Sequence, residues 1–97
     1  PRPVHIIWGM METKDARRFI APFKGLVERV YTVPIPDEPN AFAAEPLAEI
    51  ARAEGFDAVA VNSVPEGLLR SAAGGQVSRV LICGSLYLAG HVLKLHA

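Results

Sequence analysis

Four short apolar runs constrain this sequence more than any other feature: Val4-His5-Ile6-Ile7-Trp8, Val30-Tyr31-Thr32-Val33, Ala58-Val59-Ala60-Val61 and Val80-Leu81-Ile82-Cys83. They are near-continuous rather than alternating, the pattern of strands buried on both faces in a parallel sheet. Turn residues close each one: Gly9, Pro34 with Pro36, Asn62-Ser63, and Gly84-Ser85. Helical patterns fill the spaces between. Phe19, Ile20, Phe23, Leu26 and Val27 make one apolar stripe, which Pro22 is expected to bend or split because it lacks a backbone donor. A second helix is predicted from about Glu45 to Glu54, with Leu47, Ile50 and Ala51 inward and Gly55 as its stop. The third has the clearest start: Ser63 and Glu66 are spaced as a capping box, Pro65 sits in the first turn, and Gly74-Gly75 ends it. A last helix, from about Ser85 to Leu95, is apolar on much of its surface and is expected to be well buried. Strand and helix alternate four times. That order predicts an α/β, Rossmann-like fold, a mainly parallel sheet of about four strands flanked by helices, with right-handed crossovers. The one long loop is Pro34 to Ala44, and residues 1–97 are expected to form a single domain.

Composition narrows the functional classes. Ninety-seven residues suit one small domain, and 51% hydrophobic against 21% charged residues is a globular balance. Ten basic residues offset ten acidic ones without a block of either sign, so nucleic acid and anionic membranes have no electrostatic footprint here. Cys83 is the single cysteine and cannot form an intramolecular disulfide, which points to a reducing, cytoplasmic compartment. No apolar run approaches the ~18 residues of a transmembrane helix. The chain opens on Pro1-Arg2-Pro3 rather than Met and runs straight into a strand, as expected of a domain cut from a longer protein without a signal peptide.

Ligands of open parallel sheets gather beyond the carboxyl ends of the strands. That rule selects Gly9 to Asp15, Pro34 to Asn40, Asn62-Ser63 and Gly84 to Tyr87. In the first, Gly9 lets backbone approach a ligand, and Lys14 lies near the positive end of the next helix, where a cation costs a few tenths of a kcal/mol. Binding a carboxylate or phosphate would account for that placement; so would a solvated lysine paired with Asp15 or Glu12. Gly84-Ser85 has the same two readings, an anion-binding pair or an ordinary N-cap. Neither place carries GxGxxG or GxxxxGK[ST]. His5, His91 and His96 lack metal-ligand spacing and read as structural. Cys83 reads as core rather than nucleophile, Trp8 and Phe42 as core aromatics, and no nucleophile–base pair declares itself.

Two segments carry a resemblance. Arg79-Val-Leu-Ile-Cys-Gly-Ser-Leu-Tyr-Leu-Ala-Gly90, followed by His91-Val92-Leu93, closely resembles the terminal segment of bacterial folylpolyglutamate synthase/dihydrofolate synthases. His5-Ile-Ile-Trp-Gly-Met-Met-Glu-Thr-Lys-Asp15 is similar to the family's second strand and loop, and Val30-Tyr-Thr-Val-Pro-Ile-Pro36 to its next strand. The resemblance implies the C-terminal lobe of an ATP-dependent amide ligase of the Mur ligase superfamily. Such enzymes phosphorylate a carboxylate with Mg-ATP, and an amino acid's amine attacks the acyl phosphate. In this family the amine is that of glutamate, and the carboxylate belongs to dihydropteroate or to a folate.

The family's D-x-A-H-N-P-like motif, its phosphate loop and its Mg2+ ligands are not in this sequence. The resemblance therefore implies a closing lobe, inactive alone, whose ATP and Mg2+ are held mainly by the parent's N-terminal ATP-binding domain. Lys14 resembles a lysine that contacts the incoming amino acid's carboxylate in related ligases, and Ser85 lies near a serine with a similar job. Asp15, Gly9 and Gly84 complete the substrate-binding set so implied. Loss of the lobe's first strand would leave a sheet edge open, so self-association of the isolated chain is expected. The rival reading is a free-standing, small-anion-binding α/β module without catalysis.

Overall fold

The computed structural model describes residues 3–73 and 79–84. Strands β1 (Val4–Trp8), β2 (Arg29–Thr32), β3 (Ala58–Ala60) and β4 (Arg79–Cys83) form one sheet in the order β3-β2-β1-β4. All three neighbouring pairs are parallel, with Ile7 of β1 opposite Tyr31 on one side and Ile82 on the other. Helices α1 (Ala16–Ile20), α2 (Ala44–Ala53) and α3 (Val64–Ala72) supply the crossovers between them. The expected α/β architecture of about four parallel strands flanked by helices is the one observed.

Side chains alternate across the sheet and divide the core in two. Ile6, Trp8 and Val30 join Ala16 and Ile20 of α1 and Leu47, Ala48 and Ala51 of α2 on one face. Ile7 and Tyr31 join Val61, Val64 and the partly buried Leu68 of α3 on the other. The central runs β1 and β2 are apolar at successive positions because both faces are covered. Burying one such Leu or Ile side chain is worth about 1.5–3 kcal/mol. In β4, Leu81 and Ile82 are exposed rather than buried as expected, since β4 stands at the edge of the described sheet. Trp8 is fully buried and stacks on Phe19 at 5.8 Å between ring centroids. Its indole Nε1 finds no hydrogen-bond acceptor among the described residues, a desolvation cost of roughly 1–3 kcal/mol that the stacked rings and apolar packing offset.

The first helix departs most from its periodicity. Pro22 splits it, as expected, and the chain tightens into a 3-10 turn over Ala21–Phe23 before leaving helical geometry at Lys24. The apolar stripe therefore stops early. Phe19, Phe23 and Val27 still pack on the core, but Leu26 is 69% exposed instead of buried. In α2, Leu47 and Ala51 point inward as expected, Ile50 is only partly buried, and Ala48 takes the deeper place. Gly55 ends this helix with φ +93°, donating to the Arg52 carbonyl while Phe56 N–H reaches that of Ala51, the paired bonds of a Schellman stop. At the start of α3 the Ser63 hydroxyl accepts from Glu66 N–H at 3.2 Å, and the Glu66 carboxylate turns back to the Asn62 side chain at 3.1 Å. The expected ending of α3 at Gly74-Gly75, the expected last helix, Ser85, His91 and His96 lie outside the described residues.

Candidate functional site

The strand order β3-β2-β1-β4 means that the chain steps outward from β1 to β3 and then returns to the opposite side of β1. The sheet's turning point thus lies between β1 and β4, and open parallel sheets form a crevice at the carboxyl end of such a point. A cleft of about 390 Å³ lies there. Met10, Met11 and Phe19 form its apolar wall, Lys14, Asp15 and Arg18 its charged part, and Gly84 closes it on the β4 side.

Hydrogen bonds to the loop that follows β2 hold the wall. Met11 bridges Ala41 in antiparallel fashion, Phe42 N–H donates to the Met10 carbonyl at 2.9 Å, and Glu12 N–H donates to that of Asn40 at 2.8 Å. The Pro34 to Asn40 stretch thus serves the cleft from behind, by bracing the first loop. Its turn is made by Asp37 at φ +61° and anchored by the buried Ile35. The third place picked out from the sequence, Asn62-Ser63, is occupied with capping α3.

Lys14 and Asp15 line the cleft, and both are exposed. Lys14 has no ion-pair partner among the described residues: neither Asp15 nor Glu12 pairs with it. Asp15 instead caps α1, its Oδ1 accepting from Arg18 N–H at 3.1 Å. Gly84 sits at φ +139°, and a Cβ there would run into the Gly9 carbonyl oxygen. Gly9 is itself buried and donates its N–H to the Cys83 carbonyl at 3.2 Å. The two glycines meet each other, so their first structural use is to let the ends of β1 and β4 close up beneath the cleft. Cys83, just below, is half-buried, and desolvation pushes its thiol up from the ordinary 9.0, away from the nucleophilic thiolate.

Arg18 was not among the residues singled out from the sequence, where it reads only as the polar side of a helix. A usable signal was present, because Lys14 and Arg18 stand four residues apart around a helix start. Met10, Met11 and Phe19 were also missed as lining, since apolar residues beside a strand read as core. A second polar constellation lies at the opposite end of the sheet. His5 Nδ1 is 2.7 Å from Ser71 Oγ, and its Nε2 is 3.3 Å from Glu28 Oε2. Ser71 is 5% exposed and His5 9%, so this array ties β1, β2 and α3 together with its hydroxyl closed to substrate. Among the described residues no group of three or more His, Cys, Asp or Glu side chains is placed to hold a metal ion.

No protein-family model and no curated protein matches this sequence. Solved structures do. A Mycobacterium tuberculosis folylpolyglutamate synthase complexed with ADP and AMPPCP superposes with a TM-score of 0.81 at 19% identity, over 97% of this chain and 23% of that one. E. coli FolC in complex with DHPP and ADP gives a TM-score of 0.80 at 26% identity, over 99% of this chain and 22% of that one. Folylpolyglutamate synthase from Thermotoga maritima gives 0.76 at 20% identity, over 97% and 21%. The structures that this chain resembles are thus the synthases to which its sequence pointed, and the chain spans about a fifth of their length.

Proposed function

We propose that this chain is the lobe of an ATP-dependent ligase that closes over glutamate while glutamate is joined to dihydropteroate or to a folate. The observation that carries the proposal is the coincidence of two independent facts. The fold follows folylpolyglutamate synthases over nearly all of its length, and its cleft at the sheet's turning point presents a lysine with no carboxylate partner among the described residues. On this reading the Lys14 ammonium holds a glutamate carboxylate, and the carbon chain lies along Met10, Met11 and Phe19. Held in this way, the amine nitrogen is aimed at the acyl carbon of the phosphorylated acceptor. The nitrogen–carbon bond forms, the carbon–oxygen bond to phosphate breaks, and the amine gives up a proton. Orientation of this kind is a large part of the rate advantage in such transfers.

ATP and Mg2+ would supply the acyl phosphate. The described residues of this chain do not make a site for the metal: the cleft's one carboxylate, Asp15, caps α1 and lies among cations. The lobe's own part is therefore binding and orientation, with the nucleotide and metal held by the parent's ATP-binding domain. The same reading places the protein in the cytoplasm, where its nucleotide is found. No helix among the described residues is long and apolar enough to cross a membrane. It also expects the isolated lobe to be inactive and to self-associate, with Leu81 and Ile82 of the edge strand β4 exposed at 47% and 38%.

The test is to purify the complete open reading frame that carries this chain and measure glutamate-dependent ADP formation with dihydropteroate and with tetrahydrofolate as acceptors. Activity with either acceptor, and a Lys14→Ala variant whose KM for glutamate rises about tenfold or more, is the expected result. No glutamate-dependent ADP formation with either acceptor would retire the ligase reading in favour of a free-standing, small-anion-binding module.

A further inference from the structure

We propose that Arg18 is a second contact for the carboxylate-bearing ligand of this cleft, acting beside Lys14. The proposal deepens the reading above and rests on it for the choice of ligand. Its own basis is the different use of two adjacent arginines. Arg17 leans toward α2, where its Nε lies 3.4 Å from Glu54 Oε2. Arg18, about 100° further round the helix, lines the cleft instead. No described carboxylate pairs with its guanidinium. The one carboxylate among the described lining residues, Asp15, is engaged by Arg18's own backbone N–H. Among the described residues Lys14 and Arg18 therefore share one cleft with a single acidic neighbour. Two like charges so placed repel each other until an anion lies between them.

The surroundings favour a small carboxylate over a larger anion. A volume of about 390 Å³ is at the small end of ligand sites, the scale of an amino acid rather than a dinucleotide. Met10, Met11 and Phe19 wall one side, and an apolar wall strengthens charge–charge attraction across it. The guanidinium adds what an ammonium lacks: a planar fork that grips both oxygens of a carboxylate and so sets its orientation as well as its position.

The experiment is a heteronuclear NMR titration of the complete protein that carries this chain with L-glutamate at constant ionic strength, comparing wild type with Arg18→Ala, Arg18→Lys and Lys14→Ala. Arg18 and Lys14 are exposed, so all four proteins are expected to keep the same amide spectrum away from the cleft. In the wild type, glutamate should shift the amides of residues 10–19 and Gly84. Arg18→Ala should weaken binding by roughly three- to tenfold, the range for a solvent-accessible charge contact, with Arg18→Lys in between because it keeps the charge and loses the fork. Wild-type affinity in Arg18→Ala, with binding lost in Lys14→Ala, would overturn the role of Arg18 and leave the carboxylate reading of the cleft intact. No glutamate-dependent shift at these amides in the wild type would overturn both. Acceptor-dependent ligation in the longer protein is a separate measurement, and its failure would leave an Arg18 effect on glutamate binding standing.

Discussion

The two ends of β1 put polar residues to opposite uses. At its start, His5 is buried and hydrogen-bonds Ser71 of α3 and Glu28 beside β2, so its polar atoms are used up inside the protein. At its end, Gly9 leads into a loop and then α1, from which Lys14 and Arg18 respectively reach a cleft without ion-pair partners among the described residues. The same strand is thus a structural clamp at one end and the base of an open site at the other. Topology accounts for the difference: the sheet's turning point lies between β1 and β4, and in open parallel sheets the crevice forms there at the carboxyl ends of the strands. A serine, a histidine and a carboxylate in hydrogen-bonding sequence are therefore no sign of catalysis when they lie at the closed end.

The sharpest way to break this contrast is Gly84→Ala. The added methyl group meets the Gly9 carbonyl, and φ +139° is strained for any residue with a side chain. A loss of roughly 2–4 kcal/mol is expected in urea denaturation, together with loss of the cleft's order. Near-wild-type stability would mean that the ends of β1 and β4 are not in contact. At the clamp end, Ser71→Ala leaves the His5 ring short of a buried partner and should cost about 1–3 kcal/mol. A cost of that size with unchanged glutamate binding would confirm that the two ends act separately, whereas altered binding would couple them.

The smallest expected effect concerns Cys83, beneath the cleft. Its thiol is raised by desolvation, so the folded state favours the neutral form. That contribution is fully present below the ordinary 9.0 and is lost as pH rises through the higher folded value. Stability of the wild type should consequently fall more steeply above about pH 9 than that of Cys83→Ala. Iodoacetamide alkylation of the folded chain should have its midpoint above the ordinary thiol range. A midpoint below 9.0 would instead overturn the desolvation argument for this thiol.

How much of this could be read from the residues alone varies from one element to the next. Each of the four apolar runs became a strand within a residue or two of its expected limits; in β1 and β2 continuous burial on both faces leaves that mark, while β4 forms its strand with Leu81 and Ile82 exposed. The Ser63–Glu66 cap and the Gly55 stop were equally legible, being local hydrogen-bond chemistry between neighbours in sequence. Leu26 was misread because periodicity continued past the point where Pro22 had already ended the helix. Lys14 was visible as a cation at an unfavourable position, and Arg18 was hidden because adjacent arginines are alike until packing decides which one meets Glu54.

By itself, then, the sequence determined which segments are strands, where α2 ends and α3 begins, and that a basic residue follows the first strand, since all of these depend on neighbours within a few positions. Only the tertiary structure decided that β4 returns to the far side of β1. From that one step follow the crevice, the contact of Gly84 with Gly9 across 75 positions of chain, and the clamp of His5 with Ser71. Such contacts between distant residues have no local signature. They are set by which arrangement of the strands buries both apolar faces at once and leaves the cations in water.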